Sequence, residues 1–155
     1  MGDDVTDDGA AAQDGDRHLQ IGEVAAATEL SIKTIRHYDE VGLVIPSARS
    51  AGGFRLYTEA DVERLLVIRR MKPLGFTLDD MRALLAAQDI LADAGGTDAD
   101  RASALDTITG FHLRAEKACG ELARQLDYAR EFTSQLAGRI RARRPDSPAP
   151  SRSGP

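Results

Sequence analysis

The sequence predicts a mainly α-helical protein, in which a winged helix-turn-helix domain of four helices and a small β-hairpin wing precedes a long coiled-coil helix. Three observations support this fold class. Two short segments of helical periodicity flank a short turn within residues 21–41, and a Gly52-Gly53 turn precedes alternating apolar and polar residues. A heptad pattern then continues without a slip from Leu105 to Ile140. The 155 residues allow one compact domain and an appendage.

Composition divides the chain into five segments. Six Asp occur in the first 16 residues, so residues 1–17 are expected to form a disordered acidic tail. Residues 18–90 should form the winged helix-turn-helix domain, 91–100 a linker, 101–143 the dimerisation helix, and 144–155 a disordered Pro/Ser-rich tail. The net charge of −5 does not exclude phosphate binding, because its acidic residues are concentrated in the tail and the middle connection.

The second helix of the helix-turn-helix is predicted to span residues 32–41. Ser31 is suited to cap its N-terminus, and Gly42 is suited to end it in a left-handed conformation. With Ile32 and Ile35 directed into the core, the polar residues between and after them point outward. This arrangement is typical of a recognition helix.

The wing and two further helices follow. Alternation after the Gly-Gly turn predicts a hairpin that carries Arg49 and Arg55 to the flanking DNA backbone. Two Thr-x-x-Asp sequences, beginning at Thr58 and Thr77, are variants of the capping box and predict helix starts. The first of these helices should end near Pro73. We therefore expect four helices and a hairpin to share one small core.

The heptad segment predicts a dimerisation helix. At about 1.5 Å per residue it would be roughly 60 Å long, too long for so small a domain to cover, which favours a homodimer over packing within one chain. An apolar flank at Ala104, Phe111, Ala118 and Phe132 predicts additional packing beside the seam. The predicted seam consists of Leu105, Ile108, His112, Ala115, Cys119, Leu122, Leu126, Leu136 and Ile140.

Three stretches together resemble the MerR family of bacterial transcription regulators: TIRHYDEVGLVIP, ARSAGGFRLYTEADV and IRRMKPLGFTLDDMRALL, within about residues 19–87. The resemblance implies antiparallel pairing of the long helices and binding of the homodimer to a near-palindromic promoter operator. It also implies activation by bending and untwisting an over-long promoter spacer in response to a signal, so that RNA polymerase engages the promoter. Two alternatives remain: a repressor or architectural protein that occludes its site, and an adaptor with a vestigial winged domain.

The resemblance also assigns DNA contacts to the recognition helix and the wing. The expected contact residues are Ser31, Lys33, Thr34, Arg36, His37, Tyr38, Arg49, Arg55 and Tyr57. Arg36 is the best candidate for contacting a base, since a guanidinium pairs with guanine through two hydrogen bonds, whereas Tyr38 is equally suited to the core. Family members often have an aromatic residue in place of His37. The basic cluster at Arg69, Arg70 and Lys72 is either a phosphate contact or a solvated face.

No pattern in the sequence predicts an enzyme, a cofactor or a metal site. Catalytic motifs are absent, and Cys119 is the only cysteine, which favours a buried structural thiol over thiol sensing across the dimer. A small-molecule effector is a hypothesis, with Phe111 and Phe132 as candidate pocket residues. We expect residues 144–155 to hold no effector domain. Without a signal peptide or an apolar run of membrane length, the protein is expected in the cytoplasm, with no membrane partner.

Overall fold

The structure is a computed structural model that describes residues 17–143. Apart from Arg17, the two predicted disordered tails lie outside these residues. The order of elements confirms the predicted fold class, with one additional short strand at the start. The elements are β1 (Leu19–Gln20), α1 (Ile21–Thr28), α2 (Ile32–Glu40), β2 (Ala48–Arg49), β3 (Arg55–Tyr57), α3 (Glu59–Met71), a 3-10 turn (Lys72–Leu74), α4 (Leu78–Ala92) and α5 (Asp98–Arg143).

The predicted caps of the recognition helix α2 are confirmed. The Ser31 hydroxyl accepts a hydrogen bond from the Thr34 amide at 3.0 Å, and Gly42 has the expected positive φ of 66°. The prediction for Ile32 was wrong: its side chain is 40% exposed, whereas Ile35 is buried. Ile32 occupies the first position of α2, where one turn of helix extends beyond the core.

A three-stranded antiparallel sheet with the order β1-β3-β2 forms the wing and joins it to the start of the domain. In β3, Leu56 pairs with Ala48 of β2 and with Gln20 of β1, and Tyr57 pairs with Leu19. Alternation in the sequence predicts the hairpin but not β1, because two residues are too few to show alternation. β3 is therefore a central strand rather than an edge strand.

One hydrophobic core unites α1 to α4 with the sheet. Both predicted Thr-x-x-Asp caps are present, since Thr58 accepts from the Asp61 amide and Thr77 accepts from the Asp80 amide. The buried apolar residues of this core are Leu19, Val24, Ile35, Tyr38, Leu43, Val44, Tyr57, Val62, Leu65, Ile68, Met71, Met81 and Leu85. Because α2 and β3 both contribute to this core, their positions relative to one another are determined by packing.

The long helix α5 begins at Asp98, three residues before the predicted start. Its first turns belong to the compact unit that extends through Phe111, and the second unit begins at His112. Ala104 is buried and Phe111 packs against the core, as the predicted apolar flank requires at these two positions. No helix within residues 17–143 combines the length and the apolar character needed to cross a membrane.

Candidate nucleic-acid interface

The outer face of α2 carries three exposed basic or titratable side chains: Lys33, Arg36 and His37. Within residues 17–143 these side chains make no hydrogen bond or ion pair. Their polar groups are therefore available to an external partner. Thr34 differs, since its half-buried hydroxyl lies 2.8 Å from that of Ser31 at the start of the helix.

Two tyrosines among the expected DNA contacts lie in the core: Tyr57 is fully buried and Tyr38 is 2% exposed. For Tyr38 the core was one of the two roles that the sequence left open, whereas for Tyr57 burial is a correction. Tyr57 belongs to the central strand β3, where it pairs with Leu19 and contributes to the hydrophobic core. Burial raises the pKa of both phenols. For Tyr57, the structure offers the hydroxyl no hydrogen-bond partner among the residues it describes.

Both arginines of the wing contact Asp39 on α2. Arg55 donates from Nε to Oδ2 of Asp39 at 2.6 Å, and Nη2 of Arg49 lies 3.8 Å from the same oxygen. Arg49 also donates to the Gly53 carbonyl at 3.1 Å. The hydrogen bond to Asp39 raises the pKa of Arg55. Arg55 thus joins the recognition helix to the wing, whereas the Arg49 side chain stays more exposed.

Further contacts hold the ends of the helix-turn-helix on the rest of the domain. Glu29 has a left-handed conformation in the turn before α2 and pairs with Arg69 of α3. Arg82 of α4 donates to the Val41 carbonyl at the end of α2, at 2.9 Å. Arg69, one member of the predicted basic cluster, therefore has a partner within the domain. Its neighbour Arg70 is exposed.

Two residues important for this interface were missed in the sequence analysis. Asp39 connects the recognition helix to the wing, and Phe54 projects from the wing tip with 73% of its surface exposed. Asp39 follows Arg36 by three residues on a helix whose exposed face is basic. An acidic residue in such a place could have indicated an ion pair within the domain. Alternation in the wing placed Phe54 on the face opposite Arg55, but did not show whether that face is covered.

Most residues of the predicted seam of α5 are exposed in the single chain. Its members Ile108 and Ala115 are half-buried, and the free thiol of Cys119 is exposed. Nε2 of His112 lies 3.6 Å from a carboxylate oxygen of Glu116. The remaining seam residues, all exposed, are Leu105, Leu122, Leu126, Leu136 and Ile140.

The structure does not support Phe111 as a free pocket residue. The ring of Phe111 packs edge-on against Phe76, with centroids 5.6 Å apart, so it contributes to the hydrophobic contacts of the first unit. Phe132, in the second unit, is 60% exposed. Residues 17–143 contain no cluster of three or more potential metal ligands among His, Cys, Asp and Glu.

Comparison with known proteins identifies relatives of this arrangement. Residues 19–88 match the profile described as MerR HTH family regulatory protein. The transcriptional regulator CueR of Vibrio cholerae serotype O1 is 35% identical over 118 residues, or 76% of each chain. ZntR of Escherichia coli K12 is 45% identical over 67 residues, which are 43% of this chain and 48% of ZntR. The crystal structure of HiNmlR, a MerR family regulator lacking the sensor domain and bound to promoter DNA, superposes with a TM-score of 0.61. HiNmlR is 21% identical, and the match covers 81% of this chain and 93% of HiNmlR, which shows a shared fold.

Proposed function

This chain belongs to the MerR family of DNA-binding transcription regulators, and we propose that it acts as a homodimer that binds a near-palindromic promoter operator and activates transcription by distorting the promoter. The exposed basic face of α2, held in a fixed position relative to the wing, is the observation that carries this proposal. The fold shared with HiNmlR, which was crystallised on promoter DNA, supports the same assignment.

The recognition helix would enter the major groove. Lys33, Arg36 and His37 are exposed and, within the described range, free of hydrogen bonds and ion pairs. Arg36 would contact a guanine, since its planar guanidinium matches the two acceptors of that base in the major groove. Lys33 and the partly exposed Arg49 would bind phosphates, which fix position and orientation but carry no sequence information.

A second copy of the chain would cover the seam of α5. Leu122 and Leu126 lie at successive seam positions and are both about half exposed in the single chain. Apolar side chains repeated at heptad spacing are stabilised when two helices bury them together. Antiparallel pairing would give a two-fold symmetric dimer. Its two recognition helices would then meet half-sites in successive major grooves.

Distortion of the operator would follow from rigid placement of the contacts. If the two winged domains cannot both fit straight duplex DNA, the duplex must bend and untwist, at a cost of a few kcal/mol that contacts to phosphates offset. In a promoter whose spacer is too long, this change would align both elements for RNA polymerase. A small-molecule effector would act by binding more tightly to the protein state that distorts the DNA.

Footprinting on the DNA upstream of the gene, with binding measured over a series of salt concentrations, tests the proposal. We expect two protected half-sites inside an over-long spacer and an affinity that falls steeply with salt. Transcription in vitro from the promoter with the over-long spacer should require the protein. Transcription from a matched template with a spacer of ordinary length should not require it. Protection that blocks transcription from a spacer of ordinary length would instead indicate a repressor. The absence of any specific protection, upstream or in a selection from random sequence, would contradict the proposal.

A further inference from the structure

The tip of the wing presents an aromatic ring to the solvent. Phe54 is 73% exposed and follows the Gly52-Gly53 turn. Single exposed apolar residues are ordinary on protein surfaces, so exposure alone assigns no role to this ring. The role that we assign to the ring depends on the groups that surround it.

Hydrogen bonds and a glycine define the wing turn beside the Phe54 ring. Two hydrogen bonds close the turn between Ser50 and Phe54. The Ser50 amide donates to the Phe54 carbonyl at 2.9 Å, and the Ser50 hydroxyl accepts from the Phe54 amide at 3.1 Å. A Cβ atom on Gly52 would lie only 3.0 Å from Cε2 of the ring. The ring therefore lies against Gly52, where a side chain would require the ring to shift by a few tenths of an ångström.

Beside the ring lies a notch of about 130 Å³ between the wing, the start of α1 and the recognition helix. Ile21 and Phe54 supply its apolar walls, and Arg36 and Arg55 supply positive charge. The Arg55 guanidinium is held by Asp39, whereas the Arg36 side chain forms no hydrogen bond or ion pair with the described part of the chain. The notch therefore combines an apolar surface with a free cation.

A DNA strand offers the complementary pair of groups. Each nucleotide has an apolar C–H face on its deoxyribose and an anionic phosphate on either side of that sugar. We propose that Phe54 covers the deoxyribose of one nucleotide in each half-site, beside the base contact proposed for Arg36. The assignment rests on the proposed contact of α2 with duplex DNA, and it adds a sequence-independent apolar contact to the phosphate contacts of the wing.

Hydroxyl-radical footprinting gives the direct test, because the radical attacks deoxyribose and a covered sugar is protected. With the full-length protein we expect Phe54→Ala to lose protection at one nucleotide of each half-site and to retain it elsewhere. Phe54→Leu, which keeps an apolar side chain, should retain partial protection. An unchanged pattern of protected sugars in Phe54→Ala would overturn the assignment.

Binding measurements separate this contact from an electrostatic one. Phe54→Ala should weaken binding roughly five- to tenfold, as expected from losing several tens of Å² of apolar burial, with an unchanged slope of log affinity against log salt. Tyr128→Ala is the matched control, since Tyr128 is 70% exposed and lies on α5 outside the predicted seam. Equal affinities of Phe54→Ala and wild type would contradict the proposal.

The same variant distinguishes the failure of this contact from the failure of the proposed function. A sugar contact needs no particular sequence, so Phe54→Ala should weaken binding to random duplex DNA by the same factor as binding to the operator. If the wild type protects no operator but this loss on random DNA persists, the subsite stands and operator recognition fails. If neither DNA shows a loss, the subsite is wrong. Thermal unfolding should be unchanged, because the ring lies largely outside the core.

Discussion

Asp39 is an acidic residue on a helix whose exposed face is otherwise basic. Its carboxylate is half-buried and accepts from Arg55 of the wing at 2.6 Å, with Arg49 nearby. A carboxylate left unpaired at this position would repel DNA phosphates. Pairing with the wing removes that repulsion and, since the two residues are 16 positions apart, also holds two separate elements together.

The pairing of Asp39 with Arg55 should be measurable as a coupling energy. In a double-mutant cycle of Asp39→Ala and Arg55→Ala, we expect a coupling of about 0.5–1 kcal/mol in the free energy of unfolding. The same cycle on Asp79 and Arg82, an exposed pair within α4, should give a smaller value. Equal couplings for the two pairs would show that the wing contact adds nothing beyond an ordinary surface ion pair.

Arg36 is the residue on which sequence preference should depend. Arg36→Ala should weaken operator binding by roughly 1–3 kcal/mol and relax the preference at one base pair of each half-site, because the paired hydrogen bonds to guanine are lost. Binding to a panel of single-base operator variants measures this effect. Lys33→Ala is the control: it should weaken binding to all sequences alike and reduce the salt slope by about two, one for each half-site. If Arg36→Ala also weakened operator and random DNA equally, Arg36 would be a phosphate contact.

At the scale of secondary-structure elements, the N-terminal cap of α3 also contacts the segment before the wing. Oδ2 of Asp61 accepts from the Thr58 amide at 2.9 Å, which closes the capping box, and also from the Ser47 hydroxyl at 2.6 Å. Ser47 precedes the first wing strand. A single buried carboxylate thus starts a helix and holds the entry to the wing.

Removal of this carboxylate should cost more than the loss of an ordinary cap. We expect Asp61→Ala to lower the free energy of unfolding by about 2–3 kcal/mol, because the Thr58 amide and the Ser47 hydroxyl both lose a charged acceptor. Urea denaturation with an unchanged m-value would measure this loss.

Asp100→Ala is the control, since Asp100 closes a cap with Thr97 at the exposed start of α5 and should matter less. The hydrogen bonds from Thr97 lower the pKa of Asp100. Its stabilisation is therefore present above the unfolded-state pKa and is lost as the pH falls through the folded-state pKa. A loss for Asp61→Ala no larger than for Asp100→Ala would contradict the linking role of Asp61.

For the whole molecule, dimerisation is the property on which the proposed function depends. Two winged domains must be joined for a two-fold symmetric operator to be bound with high affinity. The seam of α5 provides exposed apolar residues at heptad spacing from Leu105 to Ile140. Without a partner, these side chains would remain in water along most of the helix.

Leu126→Glu should convert the dimer to a monomer, because it would place two carboxylates in a buried seam. Sedimentation equilibrium should report the mass of one chain, and the operator footprint should disappear at concentrations where the wild type protects both half-sites. The control is Leu113→Glu, since Leu113 is 60% exposed against 49% for Leu126 but lies outside the predicted seam. A dimer that survives Leu126→Glu, or one lost in Leu113→Glu, would contradict the predicted seam.

Local patterns determined much of the fold and part of the candidate interface. The helix caps at Ser31, Thr58 and Thr77 and the left-handed Gly42 depend on residues within one turn of one another, so the sequence alone predicted them. The exposure of Arg36 followed from helical periodicity for the same reason. Such signals are short in range and survive any arrangement of the surrounding domain.

Tertiary structure decided the partners of residues whose side chains suit either DNA or the interior of the domain. The phenol of Tyr57 suits a DNA contact or a core, and only its pairing with Leu19, far earlier in the chain, buries it. Arg55 suits a phosphate or a carboxylate, and packing of the wing on α2 brings Asp39 to it. An amphipathic or charged side chain takes the partner that folding brings within reach, and that partner is distant in sequence. For this protein the sequence by itself determined the helices, the wing hairpin and the exposed basic face of α2, whereas packing decided the pairing of β1 and which polar side chains remain without a partner in the domain.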